Sequence, residues 1–300
     1  MLLKALAFAG LCVFWGVSWA LIKVSWGAAP PLMAASLRII AAGLILAAAG
    51  ALLRRHERLT RRDWGLLALT GLVSFTVCYG AVYIGEQRVS AALAAVLFAT
   101  FPSFTLFFSW IHGLERRPGA RRGAGMAVSF LGTVLLFADK VQLPDPEAYG
   151  YALLCLLSPI AGSWNRVVLK KHGQHLNPLA LNCVPMLIGG AAMLPLSFLL
   201  EEGPYLRAEA RGWAALLFLA AFSTALAFFL YYWLLSHMRA TTLSLVTYAT
   251  TLVAALSGWW LLHEPLSGTM AVGALVIFLG LGLVFWEAGR PEPAGSGPCP

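Results

Sequence analysis

Ten apolar stretches, each about one bilayer long, fill this 300-residue chain, and stretches six to ten replay one to five. They run at roughly 4–25, 31–53, 64–84, 89–111, 120–138, 149–169, 178–200, 212–235, 241–262 and 268–286. A helix needs about 20 mostly apolar residues to cross a bilayer. With 60% hydrophobic and 11% charged residues, and connections too short for a soluble domain, little else is open to the chain. An odd number of spans per half forces the second half to insert upside down. The prediction is an all-α polytopic membrane protein of ten transmembrane helices, arranged as two inverted five-helix repeats over 1–140 and 146–288. The Pro/Gly-rich residues 289–300 read as a disordered tail.

The halves align at an offset of 147 to 150. Lys23 falls on Lys170, Pro31 on Pro178, Phe130–Gly132 on Phe278–Gly280, and Glu115 on Glu264. Each match is weak alone; their order and constant offset carry the repeat.

The net charge of +8 is distributed as membrane topology would distribute it. With the N-terminus inside, 14 basic residues fall in cytoplasmic connections or ends: Lys4, Arg54, Arg55, Arg58, Arg61, Arg62, Arg116, Arg117, Arg121, Arg122, Lys170, Lys171, Arg239 and Arg290. The opposite connections hold four, Arg88, Lys140, Arg207 and Arg211, together with Asp139, Asp145, Glu147, Glu201, Glu202 and Glu209. Basic excess on the cytoplasmic side predicts both termini inside, and it argues against nucleic acid as the partner. The first span, with Trp15 and Trp19 and an internal counterpart, reads as a retained helix rather than a cleaved signal. Cys12, Cys78, Cys155 and Cys183 lie in spans without CxxC pairing, so they read as small core residues. No zinc-protease, nucleophile-elbow or Walker motif occurs, and the expectation is no enzyme, no cofactor and no metal.

The strings Phe14-Trp15-Gly16-Val17-Ser18-Trp19, Pro30-Pro31 and Leu37-Arg38 resemble the EamA family of the drug/metabolite transporter superfamily. So do Ser90-Ala91-Ala92-Leu93, Phe98-Ala99-Thr100-Phe101-Pro102 running on to Glu115, and His263-Glu264-Pro265. The resemblance covers about residues 4–286 and implies ten helices in two inverted repeats. It also implies export of amino acids or similar metabolites across a bacterial inner membrane, with YddG-type aromatic amino-acid exporters nearest. The family shares fold more than substrate.

The resemblance directs attention to the first, third, fourth, sixth, eighth and ninth helices as cavity walls. Their aromatic and polar faces supply the substrate-binding candidates: Trp15, Trp19, Tyr79, Tyr83, Phe98, Phe101, Trp164, Asn165, Phe228, Tyr231 and Tyr248. Such faces suit a small amphipathic or aromatic solute, although aromatics at helical spacing also face lipid or pack between helices. Lys23, Arg38 and Arg166 lie inside spans, where a charge is costly unless it meets a cavity, a partner or the interface. Pro102, Pro159 and Pro185 are candidate hinges or static kinks. No Asp, Glu or His occupies mid-span, which favours facilitated diffusion or exchange over proton antiport. A receptor or structural membrane protein, and a proton-coupled drug or nucleotide-type carrier, stand as the alternatives.

Overall fold

The computed structural model describes residues 2–53, 59–89, 91–115, 119–136, 138, 146–262 and 268–288. The tail, the His263-Glu264-Pro265 motif, Ser90, and Arg54, Arg55, Arg58, Arg116, Arg117, Asp139, Lys140 and Asp145 lie outside the described residues.

Among the described residues, ten helical rods make up the fold. They are α1 (Leu2–Ser25), α2 (Pro31–Leu52), α3 (Arg61–Gly85), α4 (91–111), α5 (Ala120–Leu136), α6 (Ala148–His172), α7 (Ala180–Leu200), α8 (Ala210–His237), α9 (240–262) and α10 (Gly268–Ala288). Eight are long and apolar enough to cross a membrane by length and composition. In α10 the apolar stretch is the shorter Gly268–Val284, and α5 has 17 residues. Local chemistry sets several starts. Pro31 opens α2 at a position where a missing N–H costs nothing. Leu32 and Met33 then donate their free amides to the Glu201 carboxylate, at 2.6 and 3.0 Å, so the end of α7 caps the start of α2. A Thr60/Asp63 capping box opens α3.

Backbone irregularities repeat with the sequence. Gly71–Cys78 in α3 and Leu219–Leu226 in α8 are both π-wound, 148 residues apart. The α4 rod breaks between Phe98 and Phe101, and the α9 rod breaks at Leu245, between Ala240–Ser244 and Val246–Leu262. Pro102 sits in the first turn after the α4 break, where its ring is tolerated. The α9 break has no proline, so winding at these positions follows packing rather than proline alone. Pro159 and Pro185 lie within continuous helices.

Packing follows the same exchange of helix n with helix n+5. Partners α2–α7 and α5–α10 map onto themselves, and α1–α9 maps onto α6–α4. The α5–α10 seam shows the two-fold directly. A Cβ on Gly125 would meet the Gly280 carbonyl at 2.9 Å, and one on Gly280 the Gly125 carbonyl at 2.7 Å. Gly132 and Gly273 are related in the same way, at 3.0 and 2.8 Å. These close antiparallel backbones need glycine, the small-residue contact that holds helices together where lipid offers no hydrophobic drive. The α2–α7 seam repeats the pattern, with Gly43 against Leu187 and Gly190 against Ile40.

Candidate functional site

A chamber opens where seven rods converge: α1, α2, α3, α4, α6, α8 and α9. Space open to the centres of water-sized contents is ≈ 110 Å³, against the ~10–15 Å³ that one water requires. Its wall is overwhelmingly apolar and aromatic, with a few hydroxyls and two guanidinium groups.

Each wall follows from helical geometry. On α1, Trp15, Ser18, Trp19 and Ile22 recur at the three- and four-residue spacing of one face. Gly16 lets that helix close on α9, since a Cβ there would meet Val253 Cβ at 2.4 Å. Trp15 is fixed by donating its indole N–H to the Ser223 carbonyl of α8 at 3.2 Å. On α3, Tyr79 and Tyr83 stack at 6.4 Å, and Ser74, Cys78 and Val82 share the wall. Phe98 and Phe101 flank the α4 break and stack at 5.5 Å, with Phe98 edge-on to Trp19 at 5.9 Å. Ser158, Gly162 and Arg166 recur at four-residue spacing on α6. Phe228 comes from α8, and Thr247 and Thr250 from α9.

The two wall arginines differ in their partners. Arg38, 2% exposed, donates Nε to Thr224 Oγ1 at 2.7 Å and Nη1 to the Tyr83 hydroxyl at 3.2 Å, and lies 5.3 Å from the Tyr79 ring. It thereby ties α2 to α3 and α8. Arg166, 7% exposed, has no hydrogen-bond partner at Nε or Nη1. Its guanidinium is instead surrounded by rings: Tyr231 at 4.3 Å, Phe228 at 5.2 Å, Phe101 at 5.5 Å and Trp15 at 5.8 Å.

Of the residues singled out from sequence, Trp15, Trp19, Tyr79, Tyr83, Phe98, Phe101, Phe228, Arg38 and Arg166 come together on the chamber wall. Tyr231 stands just behind, packed on Trp15 and Arg166. Trp164, Asn165, Tyr248 and Lys23 are not part of the wall. Trp164 is two residues, about 200° of helical rotation, from both Gly162 and Arg166. Asn165, one residue round from Arg166, donates to Ser74 Oγ at 2.8 Å and bolts α6 to α3. Tyr248, one residue beyond Thr247, donates to the Met126 carbonyl of α5 at 3.2 Å and belongs to the α5–α9–α10 packing. Lys23 is exposed at the end of α1, 6.0 Å from the Trp26 ring. Sequence reasoning passed over Ser18, Ile22, Ser74, Cys78, Val82, Ser158, Gly162, Thr247 and Thr250. The three- and four-residue spacing from Trp15 to Ile22 and the four-residue spacing from Ser158 to Arg166 were there to be followed.

One acid is also buried at a helix end. Glu86 directly follows α3, is 2% exposed, and both its oxygens lack a hydrogen-bond partner. Its charged neighbours are Lys23 and Arg38. At the opposite end of the bundle, Glu115 pairs with Arg122 at 2.9 Å and accepts from the Thr241 hydroxyl at 2.6 Å, joining the ends of α4, α5 and α9.

An inverted ten-helix bundle with a central aromatic chamber defines a multi-pass membrane protein of the transporter class. The chain belongs to the EamA-like transporter family, which matches residues 2–138 and again 149–286. It is 26% identical over 297 residues to the "Uncharacterized transporter YvbV" of Bacillus subtilis (strain 168), covering 98% of this chain and 95% of that one. It is 30% identical over 273 residues to the "Uncharacterized inner membrane transporter YedA" of Escherichia coli (strain K12), covering 90% of this chain and 87% of that one. A solved crystal structure superposes with a TM-score of 0.81 over 95% of this chain and 97% of its own, at 20% identity, a likeness of fold alone.

Proposed function

We propose that the chain is a secondary transporter that exports small amphipathic or aromatic metabolites, amino acids first among them, across a bacterial inner membrane. Both termini lie in the cytoplasm on this reading, and residues 1–140 and 146–288 rock as two units around the chamber. The observation that carries the reading is the chamber itself, walled by rods from both halves and flanked by the paired breaks of α4 and α9. Aromatic faces at membrane depth give a planar or amphipathic solute contact area, and the helix breaks supply places to bend. Pro102 at the α4 break is the hinge candidate; Pro159 and Pro185, inside unbroken helices, read as packing features. Movement runs down the solute gradient or by exchange. The purified protein in liposomes should carry L-phenylalanine or L-tryptophan down a gradient faster than protein-free vesicles, and equal rates for every amino acid tried would refute the substrate reading.

Glu86 favours a second reading, proton-coupled transport, because it is a buried carboxyl beside the cations Lys23 and Arg38. Accumulation of solute driven by an imposed pH gradient, and lost in Glu86→Gln, would establish that reading. Flux indifferent to the gradient would remove it.

A further inference from the structure

Arg166 presents a fixed positive charge that nothing described around it neutralises. The residue is 7% exposed, and Nε and Nη1 have no hydrogen-bond partner. An arginine does not escape by losing its proton, and a cation at membrane depth is costly unless something meets it. The four rings around it return part of that cost through their negative faces. They are neutral, however, and leave Nε and Nη1 unfilled. The chamber wall contains no carboxylate among the described residues. Arg38, by contrast, is hydrogen-bonded to Thr224 and Tyr83 and has Glu86 as a charged neighbour. Glu86 itself faces two cations, Lys23 and Arg38, so it has no charge to spare for Arg166.

We propose that Arg166 binds the carboxylate of the transported solute, and that the favoured class is an aromatic or apolar organic anion without an ammonium group. This rests on the transporter reading above but moves its first-choice substrate from an amino acid to an organic anion. The guanidinium donors complete their hydrogen bonds on the anion, and a charge-assisted pair is strongest where water is excluded. The solute's body lies against Trp15 and Phe101, which already border the guanidinium. A zwitterionic amino acid fits less well. Its ammonium would enter a wall with no acid to receive it, close to a like charge. The wall hydroxyls of Ser18 and Thr250 could accept from the ammonium, but they bring no negative charge to meet it.

The test uses three probes of one shape on the intact protein in detergent and in liposomes. These are 3-phenylpropanoate (carboxylate only), L-phenylalanine (both groups) and 2-phenylethylamine (ammonium only). Binding is read from tryptophan fluorescence, to which Trp15 and Trp19 contribute from the wall, and transport from trans-stimulated flux. The expected order is 3-phenylpropanoate, then phenylalanine, then 2-phenylethylamine, with about tenfold or more between first and last. Arg166→Met should erase that order and Arg166→Lys should keep part of it, each at unchanged melting temperature. If Arg166→Met does not fold, the ranking on the unaltered protein decides. Equal binding of 2-phenylethylamine and 3-phenylpropanoate, or an unchanged preference in a folded Arg166→Met, would overturn the proposal and leave the aromatic chamber standing. Binding of none of the three would instead overturn the aromatic-solute reading itself, and this inference with it.

Discussion

Gly280→Ala is a one-methyl perturbation of the contact that makes the two halves antiparallel. The new Cβ would lie 2.3 Å from Ser129 Oγ, 2.5 Å from the Ser129 amide nitrogen and 2.7 Å from the Gly125 carbonyl. A serine hydroxyl can rotate aside, but the amide and carbonyl belong to the backbone of α5. Ordinary contact begins near 3.4 Å, so α5 and α10 must part by about 1 Å at that level. Overpacking of this kind costs about 1–3 kcal/mol. Gly282, on the same helix, meets nothing within 4 Å, so Gly282→Ala should gain up to about 1 kcal/mol from helix propensity alone. The propensity gain is common to both substitutions, so the expected gap between the two variants is the overpacking cost, about 1–3 kcal/mol. Denaturant-driven unfolding in mixed micelles, followed by helical circular dichroism, would measure it. The pseudo-two-fold adds a sharper condition. Gly132→Ala meets Ile277 N at 2.6 Å and should cost about as much as Gly280→Ala. Their double variant should cost less than additively, because one separation relieves both. A Gly280→Ala protein as stable as Gly282→Ala would refute the seam.

Three further outcomes follow from the same geometry. Glu201→Ala uncaps the two first amides of α2 and should lower stability by about 1 kcal/mol in the same unfolding assay, with Glu201→Gln recovering part of it. Reporter fusions after Arg62 and Arg122 should read as cytoplasmic and a fusion at Pro204 as external; a cytoplasmic signal at Pro204 would contradict the topology drawn from the basic residues. Trp15→Ala and Tyr79→Ala, on the chamber wall, should weaken apparent solute affinity roughly ten- to a hundredfold. Phe278→Ala, at an exposed position of α10, should leave it unchanged at equal expression.

The spans were legible because twenty-residue apolar runs have one economical fold in a membrane, and the repeat was legible because Phe130–Gly132 and Phe278–Gly280 carry one seam twice. Azimuth was harder to read. Mid-span depth drew Trp164 and Tyr248 toward the chamber, but a single residue's turn around α6 or α9 decides between wall and packing, and neighbouring helices set that rotation. The π-wound stretches of α3 and α8 have no residue signature, since they are alternative hydrogen-bond registers chosen by what packs against them. Glu86 lies at a helix end, and its burial comes from tertiary packing that chain position does not reveal. Arg166 was visible as a charge inside a span; only the structure shows that its Nε and Nη1 are empty.

The central claim is that solute passes through the chamber, and plugging that chamber tests it most directly. Gly162 lies on the wall with Phe101 at 3.4 Å and Cys78 at 3.5 Å from where a Cβ would stand. Gly162→Ala is therefore an ordinary contact, whereas Gly162→Trp fills the space. Flux of labelled L-phenylalanine and 3-phenylpropanoate into liposomes should be near parental for Gly162→Ala and fall to the protein-free rate for Gly162→Trp. Both proteins should remain folded by circular dichroism. Parental flux through a folded Gly162→Trp protein would place the route elsewhere and contradict the account.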